Sequence, residues 1–236
     1  MSEKIKLFCI SYAGGSSTIY NKWRPIMIEN IEVIPVELAG RGVRHDEKFY
    51  NNIKESILDI YSIIKEESNF VNIALFGHSM GAMLAYLVAK KIKNEMNIQP
   101  KVLFLSGNSP LWKNNTYISD LPDDVFLNKI IEFGGITQEM IKIKELIDMA
   151  LPVLRADFKM LDEFKKDNVE YPKEVFSVPI IAFTGKYDKG VTSDDMNEWR
   201  KYTKGKFELY QFEGNHFFIN DHSQEIVDII NTELAN

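Results

Sequence analysis

The chain contains one cysteine, Cys9, in 236 residues, so it cannot form an internal disulfide. Cys9 falls in the apolar run from Ile5 to Ile10, where a buried structural thiol is the expected role and nothing calls for an oxidising compartment. Basic residues are in deficit. Against 34 Asp and Glu stand 28 Lys and Arg, a formal net charge of -6, which removes the concentrated positive field that a phosphate backbone requires. Nucleic acid is therefore not an expected partner. No apolar run approaches the length of a membrane span. The stretch behind Met1-Ser2-Glu3-Lys4 is too short for a signal-peptide core and lacks a small-residue cleavage site, so a cytoplasmic location is expected. The histidines and carboxylates show no metal-ligand spacing, and no metal or other cofactor is expected. Pro/Gly/Ser-rich linkers, internal repeats and low-complexity tracts are missing too. What is present suits a globular core: 45% hydrophobic and 26% charged residues, in a length that one core can organise. A single domain over residues 1–236 is expected.

Six short runs rich in β-branched and aromatic residues read as buried strands: Ile5 to Ile10, Val33 to Leu38, Asn72 to Phe76, Val102 to Ser106, Pro179 to Thr184 and Phe207 to Phe212. They are nearly continuous in apolar character, the mark of strands covered on both faces and hence of a parallel sheet. Between them lie helical patterns. Asn52 to Glu67 carries Ile53, Ile57, Ile60 and Ile64 at helical spacing, and Met80 to Asn94 is a second such segment. Strand-helix alternation predicts a doubly wound α/β sheet, mainly parallel, twisted and flanked by helices. The rhythm breaks between the fourth and fifth strands, where about 109–177 holds helical stretches and no convincing strand. An inserted helical lid is predicted. Leu121-Pro122-Asp123-Asp124 starts a helix, Gly134-Gly135 stops it, Thr137-Gln138-Glu139 starts another before Met140 to Met149, and Leu151 to Phe164 forms the last. A separate small helical domain is the other reading, disfavoured because no linker flanks it.

Gly77-His78-Ser79-Met80-Gly81 has the pattern Gly-x-Ser-x-Gly, which alone is weak. Its setting is informative: it follows a predicted strand and opens a predicted helix, as a nucleophile elbow does. Gly77 and Gly81 remove side chains where the helix must pack close to the strand. Ser79 then stands at a helix N-terminus, where the backbone amide of Met80 is a candidate oxyanion donor. A tight turn with an incidental serine is the bland alternative.

A serine hydroxyl needs a histidine base held by a carboxylate. Of the four histidines, His78 lies inside the elbow, where it lines the pocket or packs. His45, in a charged loop, and His222, at a helix start, read as solvated surface. His216 follows the last strand through Glu213-Gly214-Asn215, at the carboxyl end of the sheet, where a base belongs. Asp188 follows the preceding strand through Gly185-Lys186-Tyr187. Asp194 and Asp195 are alternatives for the acid, adequately explained by helix capping. The order Ser79, Asp188, His216 is that of the α/β-hydrolases. In Ser11-Tyr12-Ala13-Gly14-Gly15-Ser16 the glycines permit a sharp turn, and the Ala13 amide is the second candidate oxyanion donor. A phosphate loop is the competing reading there, but its Gly-Lys-Ser/Thr ending is missing.

With these residues in place, the chain resembles the external, type II thioesterases of nonribosomal peptide and polyketide synthetase systems, over nearly its whole length. Tyr12-Ala13-Gly14-Gly15 resembles that family's first loop, Glu37-Leu38-Ala39-Gly40-Arg41-Gly42 its Leu-Pro-Gly-Arg turn, and Gly77 to Gly81 its elbow. Gly134-Gly135, then Leu151-Pro152 with Arg155-Ala156-Asp157, are similar to its lid signatures, and Gly214-Asn215-His216-Phe217-Phe218 to its histidine loop. Ala39 departs from the usual proline, which would loosen the turn without touching a catalytic atom. The resemblance implies hydrolysis of acyl thioesters on the phosphopantetheine arm of a carrier protein, with stalled or mis-primed acyl groups as substrates. Acyl or peptidyl carrier protein domains are then the expected partners, the arm is the partner's prosthetic group, and the enzyme is expected to be a monomer. Two other readings use the same residues: a small-molecule carboxylesterase or lipase, and a non-catalytic binding protein on a hydrolase scaffold. The complete set of triad residues disfavours the latter, and triad chemistry alone does not separate the former from a thioesterase.

Overall fold

The computed structural model describes residues 4–110, 117–136, 138–167 and 174–235. In chain order the elements are β1 (Ile5–Ile10), a 3-10 helix (Ser17–Ile26), β2 (Ile31–Val36), α1 (Ile53–Ser68), β3 (Ile73–His78), α2 (Met80–Met96), β4 (Leu103–Ser106), α3 (Asp123–Phe133), α4 (Gln138–Ile141), α5 (Lys144–Asp167), β5 (Ile180–Gly185), α6 (Ser193–Asn197), β6 (Phe207–Phe212) and α7 (Ser223–Ala235). The six strands form one sheet in the order β2-β1-β3-β4-β5-β6, each neighbouring pair parallel.

Alternation along each strand sends neighbouring side chains to opposite faces, and both faces are covered. Phe8, Ile10, Leu75, Leu103, Leu105, Ile180 and Ala182 pack with α1 and α2 on one side. Leu7, Cys9, Ala74, Phe76, Phe104, Ile181 and Phe183 pack with Tyr20, Trp23 and α7 on the other. This double coverage is why the strands are almost uninterruptedly apolar. Cys9 is fully buried, as expected of a structural thiol.

Strand β2 begins and ends two residues earlier than the predicted Val33 to Leu38. Glu37 has left the ladder to accept bonds from the Ser17 amide at 2.9 Å and the Ser16 hydroxyl at 2.8 Å. Pro35 is tolerated because β2 is at the sheet edge. The turn that follows is not loose at Ala39. Its amide donates to the Tyr50 hydroxyl at 3.1 Å, which donates in turn to Asp59 at 2.6 Å, and proline has no N–H to make the first of these bonds.

Between β4 and β5 lie α3, α4 and α5. Thr137, read as part of a helix start, lies outside the described residues. The expected separate helices Met140 to Met149 and Leu151 to Phe164 are not found as such. α5 runs through Pro152, from Lys144 to Asp167. A proline costs a helix one hydrogen bond and some bending, and the apolar stripe of α5 on both sides of Pro152 outweighs that. Leu154 joins a small lid core with Ile118, Phe126, Leu127, Ile130 and Ile136, whereas Met160, Leu161 and Phe164 enter the main core. The C-terminal half of α5 is thus anchored to the body of the protein. Arg155 ties the insertion together, donating to the carbonyls of Ser119 and Leu121, each at 2.6 Å. Among the described residues no helix is long and apolar enough to cross a membrane.

Candidate active site

Strand β3 runs into the Gly-x-Ser-x-Gly pattern itself, through Gly77 and His78, before Ser79 turns the chain into α2. Ser79 has φ 55° and ψ -118°, a strained conformation for a residue with a side chain. Two close approaches hold it. A Cβ on Gly77 would lie 2.0 Å from the Gly81 carbonyl oxygen, and one on Gly81 would lie 2.1 Å from that of Ile10. The Ser79 amide also donates to the Ser106 carbonyl at 2.7 Å, fastening the elbow to β4.

The three residues expected to work together meet at the carboxyl edge of the sheet. His216 Nε2 is 2.9 Å from Ser79 Oγ, and His216 Nδ1 is 2.6 Å from Asp188 Oδ2. Asp188 is buried, and its Oδ1 accepts from the amides of Gly190 at 2.8 Å and Val191 at 3.2 Å. A carboxylate so held is aimed at the imidazole, and it orients the ring for proton transfer with the hydroxyl. Asp195 is elsewhere occupied: with Thr192 it forms a capping box at the start of α6.

His78 packs beneath the site and does not act in it. It is fully buried, its Nδ1 is 2.8 Å from the Ser106 hydroxyl, and its ring lies 5.2 Å from that of His216. Burial, with the nearby His216, pushes its pKa well below the ordinary imidazole value, so it stays neutral. His45 is exposed, as expected. His222 is not simply solvated surface. It is half-buried, with Nδ1 2.8 Å from Glu225 and Nε2 2.8 Å from the Glu213 carbonyl, and so it braces the loop that carries His216. The Glu225 bond raises its pKa.

Ala13 and Met80, the expected oxyanion donors, both border the cavity at Ser79. The loop holding Ala13 is stiff. The Gly15 amide donates to the Tyr12 carbonyl at 2.9 Å, the Ser11 hydroxyl to the Gly15 carbonyl at 3.0 Å, and the Gly14 amide to Asp157 Oδ2 of α5 at 2.7 Å. Asp157 is also paired, through both carboxylate oxygens at 2.6 Å, with the buried guanidinium of Arg41. Burial is the largest influence and opposes the Arg41 charge, but the Asp157 bond and the negative charge of Asp157 and its neighbours together outweigh it, and the pKa is raised. Sequence reading noted Arg41 and Asp157 only within family-like runs. No local signal pairs residues 116 positions apart.

The cavity has a volume of about 720 Å³. Ser79, His216 and Asp188 line it, and the insertion between β4 and β5 contributes Ile130, Ile136, Leu154 and Phe158. A nucleophile, a held base, amide donors and an apolar recess are the parts that acyl transfer through a serine requires.

Comparison with known proteins agrees with this chemistry. The thioesterase domain family matches residues 5–234. The chain is 33% identical over 240 residues to the gramicidin S biosynthesis protein GrsT of Aneurinibacillus migulanus, covering 99% of this chain and 90% of that protein. It is 31% identical over 222 residues to the medium-chain S-acyl fatty acid synthase thioesterase of Rattus norvegicus, covering 91% of this chain and 81% of the relative. Among solved structures it is similar to ClbQ from the colibactin NRPS/PKS pathway, with a TM-score of 0.91, 28% identity, and coverage of 99% of this chain and 98% of that one.

Proposed function

We propose, from the premise that this chain belongs to the thioesterase domain family, that it is a type II thioesterase, which hydrolyses acyl groups from the phosphopantetheine arm of carrier proteins in peptide or polyketide biosynthesis. The observation that carries this reading is the Ser79–His216–Asp188 relay bordering a cavity that Ile130, Ile136, Leu154 and Phe158 also line.

Ser79 Oγ attacks the thioester carbonyl while His216 Nε2 takes the hydroxyl proton. Asp188 holds the imidazole and stabilises its positive charge. The amides of Met80 and Ala13 receive the negative charge that develops on the carbonyl oxygen. The C–S bond then breaks, and the departing thiolate takes the proton from His216. Water, deprotonated by His216, attacks the acyl-serine, and collapse of the second tetrahedral adduct frees the acid and restores Ser79. In this reading the acyl chain rests against the lid, the arm and its carrier protein come from the partner, and the chain needs no cofactor of its own. It works as a cytoplasmic monomer.

The test compares one acyl chain presented on a carrier protein and as a free oxygen ester, with the wild type and with Ser79→Ala. Preference for the carrier-bound thioester, abolished in Ser79→Ala, supports the reading. Clear preference for the free ester overturns the thioesterase assignment, and turnover by folded Ser79→Ala overturns the nucleophile.

A further inference from the structure

The loop bearing Ala13 is held from the side by the lid. Leu154 and Asp157, three positions apart and so on one face of α5, both bear on Gly14. A Cβ on Gly14 would lie 2.4 Å from Leu154 Cδ2, so the lid side chain sits directly against the loop backbone. Asp157 Oδ2 accepts the Gly14 amide at 2.7 Å, and the same carboxylate is gripped by Arg41. Arg41 belongs to the turn after β2, on the body of the protein, and its Nη1 also lies 3.4 Å from the Gly15 carbonyl oxygen. A buried charge pair with well-formed bonds has one favoured arrangement, because displacing either partner leaves an uncompensated charge out of water. Gly14 directly follows Ala13, so the bond from the Gly14 amide to Asp157 fixes the position of the backbone that carries the Ala13 amide.

We propose that Asp157 is a positioning residue that makes the aim of the Ala13 amide depend on the seating of the lid helix. This rests on the reading of Ala13 as an oxyanion donor. With α5 seated, Arg41 fixes Asp157, Asp157 fixes Gly14, and the loop presents Ala13 to the cavity at Ser79. Where the N-terminal part of α5 lifts as far as Leu154 and Asp157, the Gly14 amide loses its acceptor and the loop loses its side support. Entry of a substrate that must pass the lid and assembly of the transition-state site are thereby linked: the site is complete only when the lid has settled over the acyl group. Electrostatic stabilisation of an oxyanion depends on donors held in place before the charge develops, and this clamp would hold one of the two.

The experiment uses the full chain. Removing Asp157 alone would strand the Arg41 charge, so the informative variant is the double substitution Arg41→Met with Asp157→Leu, which deletes the pair and fills its volume. Asp157→Asn is the conservative companion, keeping shape and one acceptor oxygen. Thermal unfolding establishes that each is folded. The readouts are kcat and KM on a small soluble acyl thioester, and binding of two probes: an alkylboronic acid, which forms a tetrahedral anion on Ser79, and the uncleavable thioether analogue of the thioester. The expected result is a fall in kcat of about tenfold or more, smaller than the roughly 10²–10³ for deleting a donor outright. KM and thioether affinity stay within about twofold while boronate affinity falls with kcat, because the lost interaction belongs to the transition state. Asp157→Asn shows the same signature to a lesser degree. An unchanged kcat in the folded double variant overturns the proposal, as does an equal loss of boronate and thioether affinity. Failure of the underlying site reading is distinguishable, since it shows as turnover by Ser79→Ala whatever Asp157 does.

Discussion

Asp188 divides its carboxylate between two tasks: Oδ2 lies 2.6 Å from Nδ1 of His216, and Oδ1 accepts the amides of Gly190 and Val191. The backbone amides fix which oxygen faces the histidine. Asp188→Asn therefore has a defined outcome. The asparagine carbonyl must occupy the amide side, which turns its NH₂ toward His216 and forces the imidazole into the tautomer that carries hydrogen on Nε2. That nitrogen no longer accepts the Ser79 proton. The expected result is a fall in kcat of about 10²–10⁴ with an intact fold, measured by steady-state kinetics alongside circular dichroism.

The elbow glycines leave no room for a methyl group, because the atoms opposing them are backbone oxygens of Gly81 and Ile10 and not flexible side chains. Gly77→Ala and Gly81→Ala are each expected to lower stability by roughly 3 kcal/mol or more, the upper range for overpacking. The midpoint and slope of urea unfolding measure this, and a midpoint equal to wild type contradicts the packing described for the elbow.

His78 links stability to pH. Its folded-state pKa lies well below the ordinary value of 6.5 because of burial. Below pH 6.5 the unfolded chain therefore takes up a proton that the folded chain refuses. Protons bound to the unfolded state exceed those on the folded state, so stability falls as the pH drops from that point. His78→Asn, which keeps a polar atom near Ser106, is expected to flatten this acid limb. Unfolding free energies at several pH values between about 7 and 5 test it, and equal slopes for both proteins count against the assignment.

Arg155 holds the start of the lid through the Ser119 and Leu121 carbonyls and Asp123. Arg155→Ala is expected to leave two half-buried carbonyls without this donor, at a cost of about 1–3 kcal/mol confined to the insertion. Hydrogen exchange should speed up at the beginning of α3 while amides of β3 and β4 keep their protection. Uniform acceleration across the sheet contradicts local control of the lid.

Much of this architecture is written in short patterns. Apolar runs bounded by turn residues marked all six strands to within two residues at their ends, since a strand buried on both faces needs side chains of one kind throughout. The two glycines and Ser79 stood out because close packing and strained backbone leave few residue types that fit. Boundaries set by distant partners were not visible. Glu37 leaves β2 for Ser16 and Ser17, and α5 passes through Pro152 because apolar contacts on either side hold it. His222 looked like surface, yet its partners Glu213 and Glu225 turn it into a brace.

The candidate nucleophile, base and acid were legible from residue order and from their places after successive strands, because a parallel sheet delivers every such loop to the same edge. That Ser79, His216 and Asp188 stand within hydrogen-bonding distance, and that His78 is buried and neutral beneath them, follows only from how the layers close. The same holds for the clamp between the lid and the first loop: Asp157 and Gly14 lie 143 residues apart. Local sequence encodes the propensities and turns of each segment, whereas the pairing of two buried charges depends on where the folded chain brings them and on the cost of leaving either one alone away from water.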